Sequence, residues 1–391
     1  MSELRRLDLR ERDRIRGLAA ADSGDFENAE NAFRDYAVNY ERDYLGWFYL
    51  GYPLIMMGRI DEGIADIRRS YEMNPTELSP AAQLGIFDAS TGNYSEAMRM
   101  AEHLEDRGFR GYSPYILGLL AFLQGNYNQA SNEFTKLRKQ VAPPGRTRGT
   151  MMLAHLAAEQ GEYAKSIQLL SQGILEDQQS GSRLEQSAKL MDRANIQARL
   201  TNYPEMFEDV KASLTLDKSP QKINSASLIL AKAFGVAPTR VKELIRTELI
   251  KLDTQYLGNE LGTYSRVAKL RLHAERLMAS GKWEEALLAA RKANALDAPV
   301  NDRSYWALIL MFAADSTPNT TRKQALLEEA YAAMAKKVLD PGLAWKDPYR
   351  NLPGFWADEM RMFLEVATRA HRRNNDVTKV ESILRRLVKR T

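Results

Sequence analysis

Cysteine is absent from the 391 residues. That excludes disulfides, a thiol nucleophile and thiolate-held zinc, and it leaves the redox compartment open. Histidine is scarce. The four present, His103, His155, His273 and His371, show no metal-ligand spacing and no His-Glu-x-x-His. Long apolar runs are missing as well. The longest, Leu45 to Gly58, falls short of the ~20 residues a spanning helix needs. It holds two tyrosines and a proline between Asp43 and Arg59, so it reads as a buried helix and no integral membrane segment is expected. Met1 to Arg16 alternates charges and lacks the apolar stretch of a secretory signal. Neither sign of charge dominates: Lys+Arg is 55 against Asp+Glu 51, a net +4. Nucleic-acid binding needs a local basic patch rather than a marginal surplus, so no nucleic-acid partner is expected. No Gly-x-Ser-x-Gly elbow and no Walker phosphate loop occur. Catalytic, cofactor-binding and metal-ligating sets are therefore all expected to be absent. What is present, 44% hydrophobic and 27% charged residues, suits a folded chain.

A short pattern recurs: glycine, a polar residue, an aromatic, two residues, then a small residue. It reads Gly24-Asp25-Phe26 with Ala29, Gly92-Asn93-Tyr94 with Ala97, Gly125-Asn126-Tyr127 with Ala130, Gly161-Glu162-Tyr163, and Gly281-Lys282-Trp283 with Ala286. Degenerate copies begin at Gly58, Thr201 and Gly235, and the steps between copies are 34, 34, 33, 36, 40, 34 and 46. Each position has a physical task. Glycine ends one helix in the left-handed region, Asp or Asn is placed to cap the next, and alanine lets two helices cross closely. The second copy is fullest, with Trp47, Leu50, Gly51, Leu54, Gly58, Ile67 and Pro75, although Gly63 stands where the crossing alanine belongs. Leu84-Gly85 and Leu117-Gly118 with Phe134 continue the series.

A helix–turn–helix unit of this period and residue pattern resembles the tetratricopeptide repeat (TPR). The resemblance implies an all-α, right-handed TPR-like solenoid of about ten helical hairpins, with no strand. One solenoid is expected over 1–391: well-matched repeats in 1–220, degenerate ones in 221–340 and a capping segment in 341–391. In the degenerate part, Pro204 and Pro238 fall near second-helix starts, where proline is tolerated. Tyr305 to Ala313 is expected to pair with Arg322 to Lys336 across a polar loop, Asp315 to Thr321, and Gly354 to Arg373 with Val377 to Lys389.

Two segments are more particular: Leu9-Arg10-Glu11-Arg12, and Gly342 to Pro348 followed by Pro353-Gly354-Phe355-Trp356-Ala357-Asp358. Both resemble the TPR arrays that follow the catalytic domain in some bacterial serine/threonine kinases of eukaryotic type. That implies a sensory or partner-binding region in the bacterial cytoplasm or periplasm, either as a fragment or as a free-standing relative. Repeat material at the very start of the sequence suits a fragment. The kinase's own motifs are missing, and His371-Arg372-Arg373 lacks the catalytic-loop carboxylate.

Most aromatics fill structural repeat positions: Phe26, Trp47, Tyr94, Tyr127, Tyr163, Tyr203 and Trp283. Tyr44, Tyr52, Tyr112 and Tyr115 have no such role and sit near or within first helices, which line the concave side of a TPR superhelix. They are the candidate residues for binding a protein or peptide partner, weighed against ordinary inter-repeat packing. The loop Val141 to Gly149 offers Arg146 and Arg148 to an acidic partner or serves as a flexible connection. Trp345 to Trp356 is expected to seal the solenoid end, with an open binding platform as the alternative. His371 to Thr391 carries seven Lys/Arg against two Asp/Glu, which reads as a polar outer cap. The leading reading is a non-catalytic interaction scaffold. The alternatives are an RNA-binding helical repeat and an enzyme with an inter-repeat pocket.

Overall fold

A computed structural model of the chain describes residues 8–57, 59–109, 111–140, 143–255, 263–296, 303–339 and 356–388. Among them are twenty α-helices and no strand. They pair in chain order as ten hairpins. The first five are α1 (Leu9–Asp22) with α2 (Phe26–Asn39), α3 (Tyr44–Met56) with α4 (Ile60–Met73), α5 (Leu78–Thr91) with α6 (Tyr94–Asp106), α7 (Ser113–Leu123) with α8 (Tyr127–Arg138), and α9 (Pro143–Glu159) with α10 (Tyr163–Ser180). The rest are α11 (Arg183–Arg199) with α12 (Tyr203–Leu216), α13 (Pro220–Val236) with α14 (Thr239–Gln255), α15 (Thr263–Ala279) with α16 (Trp283–Leu296), α17 (Arg303–Ser316) with α18 (Thr320–Leu339), and α19 (Trp356–Arg369) with α20 (Asn375–Leu387).

The turn within most hairpins is one device repeated. Gly24, Gly92, Gly125, Gly161 and Gly281 all have positive φ, between +74° and +85°. The next residue's N–H donates back over the turn, as in Asn93 to Asp88 O at 2.8 Å and Asn126 to Ala121 O at 2.7 Å, the bond of a Schellman close. Thr201 (φ +60°) and His371 (φ +54°) take the same left-handed place without glycine, and Asn202 and Arg372 make the same return bond. The copy proposed at Gly235 is different. That glycine lies inside α13, and the turn is made by the extended Ala237 and Pro238. The capping expectation also needs correction. Asp25 does accept from the Asn28 N–H, at 3.3 Å. Asn93 and Asn202 instead reach backward, donating to Asp88 at 3.2 Å and Gln197 at 2.9 Å, so they tie the turn to the helix that precedes it.

The small crossing residues are buried as the pattern requires: Ala29, Ala97 and Ala130 at 0% exposure. Gly63 is explained by its partner. A Cβ there would lie 2.6 Å from the Gly51 carbonyl oxygen, and one on Gly51 would lie 2.8 Å from the Gly63 oxygen. The two glycines let α3 and α4 touch backbone to backbone. In the fifth hairpin Ser166 takes the role, donating its hydroxyl to Ala154 O at 2.7 Å.

Beyond the first hairpin, where α2 is more buried than α1, burial separates first helices from second. The second helices α4, α6 and α8 bury one stripe and leave the opposite face in water. Of α5, every residue from Pro80 to Ser90 except Gln83 is buried. In α7, Tyr115 to Phe122 are buried save Leu117, and in α17 Tyr305 to Met311 are buried without a break. Helices dry on all sides lie inside a structure rather than along an open trough. One apolar cluster accounts for this. It runs from Ile55 through Leu156 and takes in Leu277, Tyr305–Ala314, Leu326–Val338 and Ala357–Leu387. Hairpins two to five and the last three therefore share a core, while Ala21 to Leu54 supply a separate cluster at the start of the array. A second cluster draws on residues between Met191 and Ala279, among them Met206, Leu230, Ile245 and Leu272.

Candidate functional site

The four candidate tyrosines fall into two groups. Tyr44 and Tyr52 are on α3, both half-buried. The Tyr44 hydroxyl donates to Glu77 at 2.7 Å. Burial, reinforced by that carboxylate, pushes the phenol up to about 12. Tyr52 meets Phe26 edge-on at 5.8 Å, an ordinary packing contact between neighbouring hairpins.

Tyr112 and Tyr115 are brought together with Arg148. Tyr112 precedes α7 and stacks on Phe109, centroids 5.5 Å apart. The Arg148 guanidinium lies 4.5 Å from the Tyr112 ring centroid and 5.3 Å from that of Tyr115, and it donates to the Tyr112 hydroxyl at 3.5 Å. Tyr115 is 0% exposed, so it supports Arg148 from within and offers nothing to a partner. Burial raises its phenol well above the usual range. The expected flexible connection at 141–149 is corrected from residue 143 onward, because those residues are the first turns of α9. Position then splits the two arginines: Arg146 turns to Glu176 at 3.8 Å, Arg148 to the tyrosines.

Of the aromatics assigned to repeat positions, Phe26 and Tyr203 are buried and Trp47, Tyr127, Tyr163 and Trp283 half-buried, while Tyr94 is 39% exposed. Arg69 covers the Trp47 ring at 3.6 Å. Residues 345–355, expected to seal the solenoid end, lie outside the described residues, as does most of the second kinase-like segment. The basic terminus is partly neutralised, with Arg372 on Glu328 at 2.6 Å and Arg385 on Glu381 at 3.0 Å.

Sequence reading missed a polar cluster where the two ends of the shared core meet. Glu159, at the end of α9, is 2% exposed and accepts the Ala357 N–H at 2.7 Å, in the first turn of α19. Arg199, at the end of α11, donates to the Tyr163 hydroxyl at 2.6 Å and pairs with Asp358. Arg361 reaches the same hydroxyl at 3.3 Å and Asp358 at 3.1 Å. Burial pulls the Arg199 guanidinium below its ordinary range, an effect Tyr163 opposes and Arg361 adds to; an arginine nonetheless stays protonated. A Cβ on Gly161 would touch Val388 at 3.4 Å, so α20 adjoins the same turn. Only the turn position of Tyr163 was visible in sequence.

The neighbouring wall carries a second polar centre. Lys189 of α11 pairs with Asp177 of α10 at 0% and 3% side-chain exposure, and Thr147 donates to the same carboxylate at 3.0 Å. Among the described residues no cluster of three or more His, Asp or Glu has metal-binding geometry, and no helix is long and apolar enough to cross a membrane.

A family model described as tetratricopeptide repeat matches residues 16–78 and 115–182. Those two stretches carry tetratricopeptide repeats. The two matched stretches take in the TPR turns at Gly24, Gly125 and Gly161 and the Gly51–Gly63 crossing. Among solved structures, the chain is similar to the TPR domain of P58(IPK), with 11% identity over 97% of this chain and 98% of that one and a TM-score of 0.23. It is similar to a chain of Naa15/Naa10 bound to HypK-THB, with 15% identity over 93% of this chain and 59% of that one and a TM-score of 0.29. Yeast Tom70 is similar at 14% identity over 94% and 97%, with a TM-score of 0.22. No curated protein matches the chain.

Proposed function

We propose that this TPR solenoid is a non-catalytic scaffold that binds a protein or peptide partner along its first helices, through Tyr112 and Arg148 with Tyr44 and Tyr52 as flanking contacts. The observation that carries the reading is the held guanidinium. Arg148 is half-buried and fixed over Tyr112 and Tyr115, and no carboxylate of the described residues forms an ion pair with it. A preordered arginine beside an aromatic ring is the usual kind of anchor at a protein interface. RNA is the less favoured ligand, because Lys and Arg exceed Asp and Glu by only four and surface arginines such as Arg59 and Arg68 are matched by acids, Arg59 by Glu30 and Glu62, Arg68 by Asp88 and Glu96. Association with a bacterial kinase rests on two short sequence segments alone, and the reading frame upstream of the gene tests it.

A photo-reactive side chain in place of Tyr112 should capture a partner that Leu175, exposed on the second helix α10, does not. Arg148→Ala should weaken that partner at least tenfold with helicity unchanged. Capture from Leu175 with none from Tyr112 would assign the binding surface to the outer face.

A further inference from the structure

We infer that the last hairpin, α19–α20, is a releasable clasp that holds the spiral shut over its own inner face, so that first helices α5, α7 and α9 are reached only when it lets go. This rests on the scaffold reading only for its consequence; the clasp itself is a property of the chain alone.

A repeat array ordinarily contacts only its neighbours, and its shape follows from small rotations between repeats. Here α19 follows α18 as the next unit, yet it also meets the ends of α9 and α11, which belong to the fifth and sixth hairpins. Beside the apolar core that the two ends share, the contact carries charge and hydrogen bonds. Glu159 satisfies an N–H that a helix start leaves without an intrahelical acceptor, and its charge complements the positive end of the helix dipole. Arg199, Tyr163, Asp358 and Arg361 form a chain in which each group has at least two partners.

Its exposure suits release. Arg199 and Asp358 keep 22% and 20% of their side-chain surface, and Arg361 36%, so water can replace each bond as it breaks. What such opening would uncover is surface of the first helices α5 and α7, where Ile86, Ser90, Leu119 and Phe122 are now buried. The neighbour contacts of α19 with α18 need not break. An incoming carboxylate from an acidic segment of a partner competes with Asp358 for Arg199, which couples binding to opening.

The absence of cysteine makes a direct test possible on the full chain. Spin labels at Ala164→Cys and Ser382→Cys, both exposed, report the separation of the two sides. The otherwise unchanged chain should give one narrow distance. Arg199→Asp should broaden and lengthen it, Asp358→Arg should do the same, and the two together should restore the narrow distance by exchanging the charges. A narrow distance that survives Arg199→Asp, or a broad one before any substitution, overturns the clasp. Should Arg199→Asp lose helicity, Asp358→Asn takes its place with the same outcomes. No ligand enters the measurement, so its failure leaves the scaffold reading standing, and failure to capture a partner at Tyr112 leaves the clasp standing.

Discussion

Two ion pairs tie down the middle of the chain, and they differ in what they join. Lys189–Asp177 links adjacent helices within the wall and is sealed from water at 0% and 3% exposure. Arg199–Asp358 links hairpins far apart in sequence and sits at the rim at 22% and 20%. The chemistry is the same. The first pair has been stripped of solvent and is expensive to leave half made; the second can trade its partner for water. One is part of how the repeats stack, the other part of how far the stack curls.

The comparison breaks first at Lys189. Lys189→Ala leaves Asp177 buried with only Thr147 for company, and it should cost about 3–5 kcal/mol in chemical denaturation. A loss below about 1 kcal/mol would mean that water reaches the pair and that the two sites do not differ. A neighbour contact without charge comes next. Gly63→Ala drives a methyl against the Gly51 carbonyl oxygen, where no flexible side chain can yield, and should cost about 1–3 kcal/mol despite alanine's better helix propensity. Stabilisation instead would show that α3 and α4 separate freely.

At the clasp the effect on stability should be smaller. Arg199→Asp is expected to shift the unfolding free energy by about 1 kcal/mol or less. Raised salt should mimic it, since rim charges are screened and the Lys189 pair is not. The smallest effect concerns Tyr44. Its phenol is raised in the folded chain to about 12, from an ordinary value of 10. The stability it contributes is fully present below pH 10 and is lost as pH climbs from 10 through 12, where the unfolded chain ionises first. Tyr44→Phe should flatten that part of the pH–stability curve; an unchanged slope would mean that Glu77 does not hold the hydroxyl.

The hairpins were legible because each turn must solve the same local problem, and glycine followed by a polar residue and an aromatic solves it visibly. Thr201 and His371 solve it without glycine, so the second of these carries no visible copy of the pattern although a helix pair is expected around it, and Gly235 imitates the pattern inside a helix. Gly63 could be read as a departure but not as half of a pair, because its partner Gly51 is defined only by the crossing of α3 and α4. Tyr112 and Arg148 were each visible as candidates; their stacking was not, since it needed α9 to begin at Pro143 rather than after a loop. The clasp was illegible for a plainer reason. Glu159 and Ala357 meet through the summed rotation of several hairpins, and no local pattern records a sum.

The central claim is that the inner face is filled by the chain itself. A single cysteine in place of Ser90, a near-isosteric change at a residue 6% exposed on α5, reports on it directly against Ala164→Cys on the surface. Thiol labelling of the folded chain should be slower at position 90 by about two orders of magnitude or more, as expected where reaction waits for an opening that costs several kcal/mol. Equal rates at the two positions would show an open trough and contradict the account.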